Sequence, residues 1–275
     1  MQVAITKDLE GKKKFDFERF DKLKRMDYEE KVTYSKKLIE KAYEVYGDKL
    51  SVSCSFGKDS MVVLHMALEV NPDIVVLWAN TGVEYPETVK FARKIAKEWD
   101  LNLVECKPIK TYWECVREYG FPLPRKIKLG DGYKAPGTPR CCYYMKEKPL
   151  MNKIHELGLK ATMTGLTWDE SYNRKWLIVR RGDWFFVKKR RYWMVHPVAY
   201  WNSFEIWMYI EDNSIPVNPM YDKIERIGCK TCTAFLGWEK QMARVNPNLY
   251  RFIMRKMREM GDPRGMHLLD DFFEI

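Results

Sequence analysis

Between Leu50 and Thr164, short apolar or β-branched runs alternate with longer stretches of mixed polarity. Leu50–Ser53, Ile74–Trp78, Asn102–Cys106 and Ala161–Thr164 have the length and residue types of strands. Asp59–Val70, Pro86–Trp99 and Tyr144–Leu157, which lie between them, place apolar residues at helical spacing. Strands alternating with helices predict an α/β fold, a doubly wound, mainly parallel sheet with helices on both faces. Helical N- and C-terminal parts flank it. Before Tyr46, spaced apolar positions (Phe15, Phe20, Leu23, Met26, Tyr34, Leu38, Tyr43) sit among charges of both signs, the pattern of helices packed on a larger body. Trp184–Lys188 and Tyr192–His196 predict a β-hairpin, and beyond Ser203 the pattern is mainly helical. Phe121–Pro139, rich in proline and glycine, reads as a long irregular loop of the kind that serves as a lid. The expected organisation is an N-terminal helical segment over residues 1–46, a nucleotide-binding α/β domain over 47–210 and a helical part carrying a CxxC pair over 211–275.

At 275 residues and 46% hydrophobic composition, the chain can bury a core without disulfide staples. Its net charge of +10 points to anionic partners such as nucleotides, phosphorylated substrates or nucleic acid. No stretch approaches the ~18 apolar residues of a membrane span, and the start lacks the basic-then-apolar pattern of a signal peptide. The expectation is a cytoplasmic protein with no membrane contact. Seven cysteines in a reducing compartment then argue for metal or redox chemistry.

Ser55-Phe56-Gly57-Lys58-Asp59-Ser60 follows the first strand and opens a helix. Unpaired N–H groups and the positive end of the helix dipole favour a phosphate there, and Gly57 lets the backbone come close. The spacing is not that of the GxxxxGK[ST] loop, which excludes a standard kinase or GTPase. A glycine turn before a capped helix is the alternative. Asn80-Thr81-Gly82-Val83-Glu84-Tyr85-Pro86 after the next strand is a second polar loop entering a helix at the same sheet edge.

Cys141-Cys142 and Cys229-x-x-Cys232 are two local thiol pairs far apart in sequence. Four thiols can bind zinc or an iron–sulfur cluster. Adjacent cysteines serve one metal only on a turn or helix end, and Thr138-Pro139-Arg140 supplies a helix start. Structural zinc sites usually use CxxC twice, so the tandem pair favours iron–sulfur. Cys54, Cys106 and Cys115 fit the role of small buried apolar residues. Arg180, Arg181, Lys188, Lys189, Arg190 and Arg191, with Trp184, Phe185, Phe186, Tyr192 and Trp193 among or beside them, offer a surface for nucleic acid. A hairpin with one solvated and one packed face explains the same run equally well.

These motifs, with Thr164-Gly165-Leu166, Ser171, Arg174, His196-Pro197-Val198, Trp201, Trp207 and Gly228-Cys229, resemble the phosphoadenosine-phosphosulfate reductase family of the ATP pyrophosphatase superfamily. The resemblance covers roughly residues 50–235. It implies that Ser55, Gly57, Lys58, Asp59 and Ser60 hold nucleotide phosphates, with Lys58 and Asp59 the candidate catalytic residues. It further implies that Thr81, Gly82, Glu84, Gly165 and Ser171 sit beside the nucleotide and that Arg174 reaches an anionic group. Cluster-bearing members hold a [4Fe–4S] cluster on a tandem pair plus a distant CxxC, here Cys141, Cys142, Cys229 and Cys232.

Two departures bear on activity. The reductases attack with a cysteine near the C-terminus, and no cysteine follows Cys232. They also carry arginines where this chain has Thr167 and Trp168, and arginine forks suit sulfate oxygens. The preferred expectation is therefore an enzyme that uses ATP with Mg2+ to adenylate an acceptor for sulfur transfer, with nucleic acid one candidate acceptor and a donor protein one candidate source of the sulfur. The alternatives are reduction of adenylylsulfate or its 3′-phosphorylated form with an external thiol, and a non-catalytic nucleotide- or nucleic-acid-binding subunit.

Overall fold

The computed structural model describes residues 15–123, 127–129, 132–134, 139–235 and 237–266. Thr138, part of the expected 121–139 loop, the first 14 residues of the N-terminal segment and the ending Leu268–Ile275 lie outside these. In chain order the elements are α1 (Phe17–Lys24), α2 (Tyr28–Tyr46), β1 (Leu50–Ser53), α3 (Lys58–Val70), β2 (Val75–Ala79), α4 (Pro86–Glu98) and β3 (Leu103–Cys106). There follow α5 (Tyr112–Tyr119), β4 (Ile127–Leu129), β5 (Gly132–Lys134), α6 (Arg140–Cys142), a π-helical turn over Tyr143–Glu147, α7 (Lys148–Glu156), β6 (Ala161–Thr164) and α8 (Tyr172–Arg181). The last are β7 (Trp184–Val187), β8 (Tyr192–Val195), α9 (Ser203–Asp212), α10 (Trp238–Val245) and α11 (Pro247–Glu259).

The chain divides into two compact units. The first comprises Met1–Ala79, Lys90–Cys106 and Leu150–Asn218. It holds a six-stranded sheet of order β3-β2-β1-β6-β8-β7, parallel throughout except for the antiparallel β7–β8 edge. The hairpin expected from the aromatic runs forms, and its second strand also extends the sheet by pairing parallel to β6. From β1 the chain winds one way through β2 and β3, then returns to β6 on the other side. The carboxyl ends of β1 and β6 are thus the topological switch point, where open sheets of this class take ligands. Side chains mark the same seam: Ser53 Oγ lies 2.9 Å from Thr162 Oγ1.

Capping fixes the helices of this unit. Asp27 and Glu30 close a capping box on α2, as Asn202 and Glu205 do on α9. The apolar face of α2 (Leu38, Ile39, Ala42) is buried, and α2 packs on α3. The N-terminal helices are also anchored by charge. Buried Asp183 accepts from Tyr34 Oη at 2.5 Å and from Arg19 at 2.9 Å. Lys31 meets Glu205 at 2.6 Å.

The second unit comprises Asn80–Val89, Lys107–Pro149 and Pro219–Ile275. Its core includes Tyr85, Tyr112, Phe121, Met145, Trp238, Met242, Ile253 and Met254. The helix expected from Tyr144 begins earlier, at Arg140 behind Pro139. The π-turn shifts the side-chain period between Tyr143 and Glu147, which hides the first turn from a 3.6-residue pattern.

Candidate functional site

In the first unit, β1 leads into α3 through residues 54–57. The φ of Phe56 is 57°, the left-handed region that bulky residues avoid at a cost of about 1–3 kcal/mol. Three contacts hold it. Its ring packs edge-on against Trp78 with centroids 5.6 Å apart, Asn218 Nδ2 donates to its carbonyl at 3.2 Å, and its own N–H donates to Cys54 Sγ at 3.4 Å. Gly57 then serves as the N-cap of α3 with no side-chain cap. Side chains do cap α1, α2, α5, α8, α9 and α11. The N-cap residue thus offers no side-chain acceptor of its own to the first N–H groups of α3, and helix starts of this kind can receive a phosphate.

Ser60 knots the loop. Its Oγ donates to the Gly57 carbonyl at 2.9 Å and accepts the Ser55 N–H at 3.2 Å, and the two serine Oγ atoms are 3.2 Å apart. Lys58 Nζ pairs with Asp59 at 2.8 Å.

From the other side of the switch point, Gly165 follows β6. A Cβ there would meet the Asp59 carbonyl carbon and oxygen at 2.4 Å and Ser60 N at 2.5 Å. Only glycine permits this approach of two backbones. The structure thus brings Ser55, Gly57, Lys58, Asp59, Ser60 and Gly165 together. Ser171 instead caps α8 by accepting the Arg174 N–H at 3.4 Å, and the Arg174 side chain pairs with Glu170. Between them Thr167 is buried, and Trp168 is held by its N–H to the Ala199 carbonyl at 2.9 Å, with Lys24 Nζ 4.3 Å above its ring. His196 is fully buried with Nδ1 2.7 Å from Thr164 Oγ1, and its Nε2 has no partner. Burial, with Arg174 and Arg181 adding to it, lowers its pKa to about 3.

The second unit contains Thr81, Gly82, Glu84 and the four paired cysteines. Cys141 and Cys142 lie on the first helical turn after Pro139, and Cys229 and Cys232 lie on a turn closed by the Cys232 N–H to the Cys229 carbonyl at 3.0 Å. Cys141 donates to Cys142, and this bond, aided by Lys146 and Arg226, lowers the Cys142 thiol to about 7; Cys141 is raised in return. Thr81 Oγ1 is 3.7 Å from Cys229 Sγ, and the Lys230 N–H donates to the Val83 carbonyl at 2.9 Å. Thr81 and Val83 are therefore tied to the CxxC turn.

Sequence reasoning missed Lys146. Its ammonium faces Cys229 first, with Glu84 and Cys142 beside it, and these neighbours raise its pKa. The sequence carried no clean signal for it, because Lys146 lies in the π-helical turn, where the α-helical spacing of four does not define a shared face. By contrast Cys54 and Cys106 are pushed up to about 11 by burial, and Cys115 is raised by the same cause, as inert thiols are.

Among the described residues, no group of three or more His, Cys, Asp or Glu side chains closes on a single metal ion. The second unit carries four thiols on two turns with a lysine and a threonine hydroxyl against Cys229, donor types that an iron–sulfur centre would accept. Cations and hydrogen-bond donors near the sulfurs stabilise its negative charge.

Over residues 49–235 the chain matches the phosphoadenosine phosphosulfate reductase domain. It belongs to that family. An uncharacterized protein of Methanocaldococcus jannaschii is 30% identical over 263 residues, which are 93% of this chain and 60% of the relative. This family member thus spans less than two thirds of that relative. The adenosine 5′-phosphosulfate reductase of Bacillus mycoides is 30% identical over 201 residues, 71% of this chain and 78% of that enzyme. The fold is shared with phosphoadenylyl-sulfate reductase from Candida auris (TM-score 0.53, 18% identity, 80% of this chain and 98% of that one). It is also shared with FMN adenylyltransferase of Candida glabrata (TM-score 0.53, 11% identity, 78% and 71%). The family's members include enzymes that act on adenine nucleotides. No helix among the described residues is long and apolar enough to cross a membrane.

Proposed function

We propose that this chain is an ATP pyrophosphatase-type enzyme that adenylates an acceptor for sulfur transfer. The observation that carries the reading is the loop after β6. Where the reductases it resembles present arginines, Thr167 is buried and Trp168 is packed under Lys24 and edge-on to Phe20. A sulfate group there would meet neither of the guanidinium forks that arginines at positions 167 and 168 would supply. The uncapped start of α3 and the exclusion of any side chain at Gly165 support a polyphosphate in that place instead.

In this reading the N–H groups at the start of α3 and the hydroxyls of Ser55 and Ser60 orient the phosphates. Lys58 stabilises charge developing on the leaving group, and the Asp59 carboxylate is a hard oxygen donor suited to Mg2+. An acceptor oxygen attacks the α-phosphorus, and pyrophosphate departs with the electrons of the α–β bridging bond. A sulfur nucleophile from a donor protein then attacks the activated carbon, and AMP leaves with the C–O electrons. Cys141, Cys142, Cys229 and Cys232 would hold a [4Fe–4S] cluster, which supplies iron with affinity for sulfur. The second reading, reduction of adenylylsulfate with an external thiol, is favoured by the 30% identity to the Bacillus enzyme.

Protein purified without oxygen, incubated with ATP or adenylylsulfate and scored for pyrophosphate and sulfite together, separates them. Pyrophosphate from ATP, lost in Lys58→Ala, is expected. Sulfite from adenylylsulfate with a thiol donor would establish the reductase, and nucleotide binding with neither product would leave a binding subunit.

A further inference from the structure

The surface where α1 and α8 meet carries four aromatic rings. Trp176 on α8 is approached edge-on by Phe15 (centroids 5.3 Å), Phe17 (5.6 Å) and Tyr172 (5.5 Å). The three outer rings face solvent, with Tyr172 71%, Phe17 47% and Phe15 45% exposed. The Asp16 N–H donates to the Val179 carbonyl at 3.0 Å, which fixes Phe15 and Phe17 over the helix. Tyr172 and Trp176 share a face of α8 by their spacing of four.

Charge around the rings is positive. Residues 15–25 and 169–181 hold eight basic residues against five carboxylates; Arg19 pairs with buried Asp183 and Arg174 with Glu170, so the cations beyond these two pairs are Lys22, Lys24, Arg25, Lys175, Arg180 and Arg181. Three of the five are engaged locally. Asp16 caps α1, Asp169 accepts the Ser203 N–H and Glu170 pairs with Arg174. On α8 itself four basic residues stand without one acidic residue. Solvent-facing rings interleaved with cations are the surface on which unstacked bases lie while the backbone phosphates are neutralised. A protein partner recognising the rings through apolar contact would have no use for this excess.

We propose that Phe15, Phe17, Tyr172 and Trp176 form a docking platform for a single-stranded nucleic acid. The platform rests on the reading above in one respect: α8 begins just after the β6 loop that holds Gly165 against Asp59 and Ser60, so a strand lying on it is a candidate acceptor for adenylation. Base stacking is the dominant contact, so the platform takes loops and single strands and rejects duplexes.

The test uses the full chain, purified without oxygen, and fluorescein-labelled strands of about a dozen nucleotides, RNA and DNA of one sequence, with the corresponding duplex. Fluorescence anisotropy is expected to show single-strand binding that weakens at least tenfold in Phe17→Ala/Tyr172→Ala, and duplex binding that is weaker and unaffected by the substitution. The RNA and DNA arms distinguish the two sources of the strand. Because both side chains are largely solvent-facing, the double variant should melt with the parent, and Tyr172→Phe should retain binding. Single-strand affinity unchanged in the double variant, a duplex bound as tightly as the strand, or no binding at all overturns the proposal. So does a change in oligomeric state without a change in strand affinity, which would give the patch to a second copy of the chain. Pyrophosphate release from ATP by the same preparations is scored separately. Its absence with strand binding intact counts against the adenylation reading and leaves the platform standing.

Discussion

His196 makes the stability of this protein sensitive to mild acid. Its imidazole is fully buried beside Phe185, its pKa lowered to about 3 in the fold against 6.5 for the free side chain. Below pH 6.5 the unfolded chain binds a proton at this position that the folded chain refuses. The stabilising term is thus fully present above the unfolded pKa, falls as pH drops through 6.5, and keeps falling until about pH 3. At about pH 5 the loss is 1.36 kcal/mol per unit over about 1.5 units, so about 2 kcal/mol. His196→Asn removes the titration and leaves a polar group for Thr164 Oγ1, which lies 2.7 Å from Nδ1. The variant is less stable at neutral pH because the side chain is smaller, so the comparison is between slopes. Urea unfolding, followed by tryptophan fluorescence without oxygen at about pH 7.5 and pH 5, should show the parent losing about 2 kcal/mol more than the variant. Carboxylates that titrate elsewhere cancel in that difference. Parallel losses in the two proteins would refute the reasoning and mean that His196 is charged in the fold.

Gly165→Ala should weaken ATP binding, measured calorimetrically, and destabilise by about 1–3 kcal/mol, because the new methyl meets the Asp59 and Ser60 backbone, which cannot swing aside as a side chain would. Asp183→Ala leaves Arg19 and Tyr34 without their shared acceptor, and a drop of about 3 kcal/mol is expected from denaturant midpoints. Asn218→Leu removes the donor to the Phe56 carbonyl and should cost about 1–3 kcal/mol, with nucleotide affinity falling alongside. Cys142→Ala should abolish the brown absorbance and iron content of protein purified without oxygen, whereas Cys115→Ala, a buried thiol outside the two pairs, should leave both intact.

Much of this protein was legible along the chain because the signals involved are local. Apolar runs of strand length between helical periods specified a parallel α/β sheet, and the aromatic runs around Lys189–Arg191 specified the hairpin. Gly57 between a strand and a helix marked the turn that joins β1 to α3. What pairs across the fold was not legible. Nothing near Tyr192 indicates that β8 lies parallel to β6, and nothing near Asn218 indicates that it steadies the strained carbonyl of Phe56. The Gly165 signature shows its reason only when β6 is set beside β1 and a Cβ would strike Asp59. Lys146 lies in a π-helical turn that hides its spacing from Cys142, and its contact with Cys229 depends on a turn more than eighty residues away. Residues close in sequence are held together by the covalent chain, so their pattern fixes local geometry. Contacts between distant segments are decided by which surfaces exclude water together and which buried polar groups find partners, and only the folded chain brings those surfaces face to face.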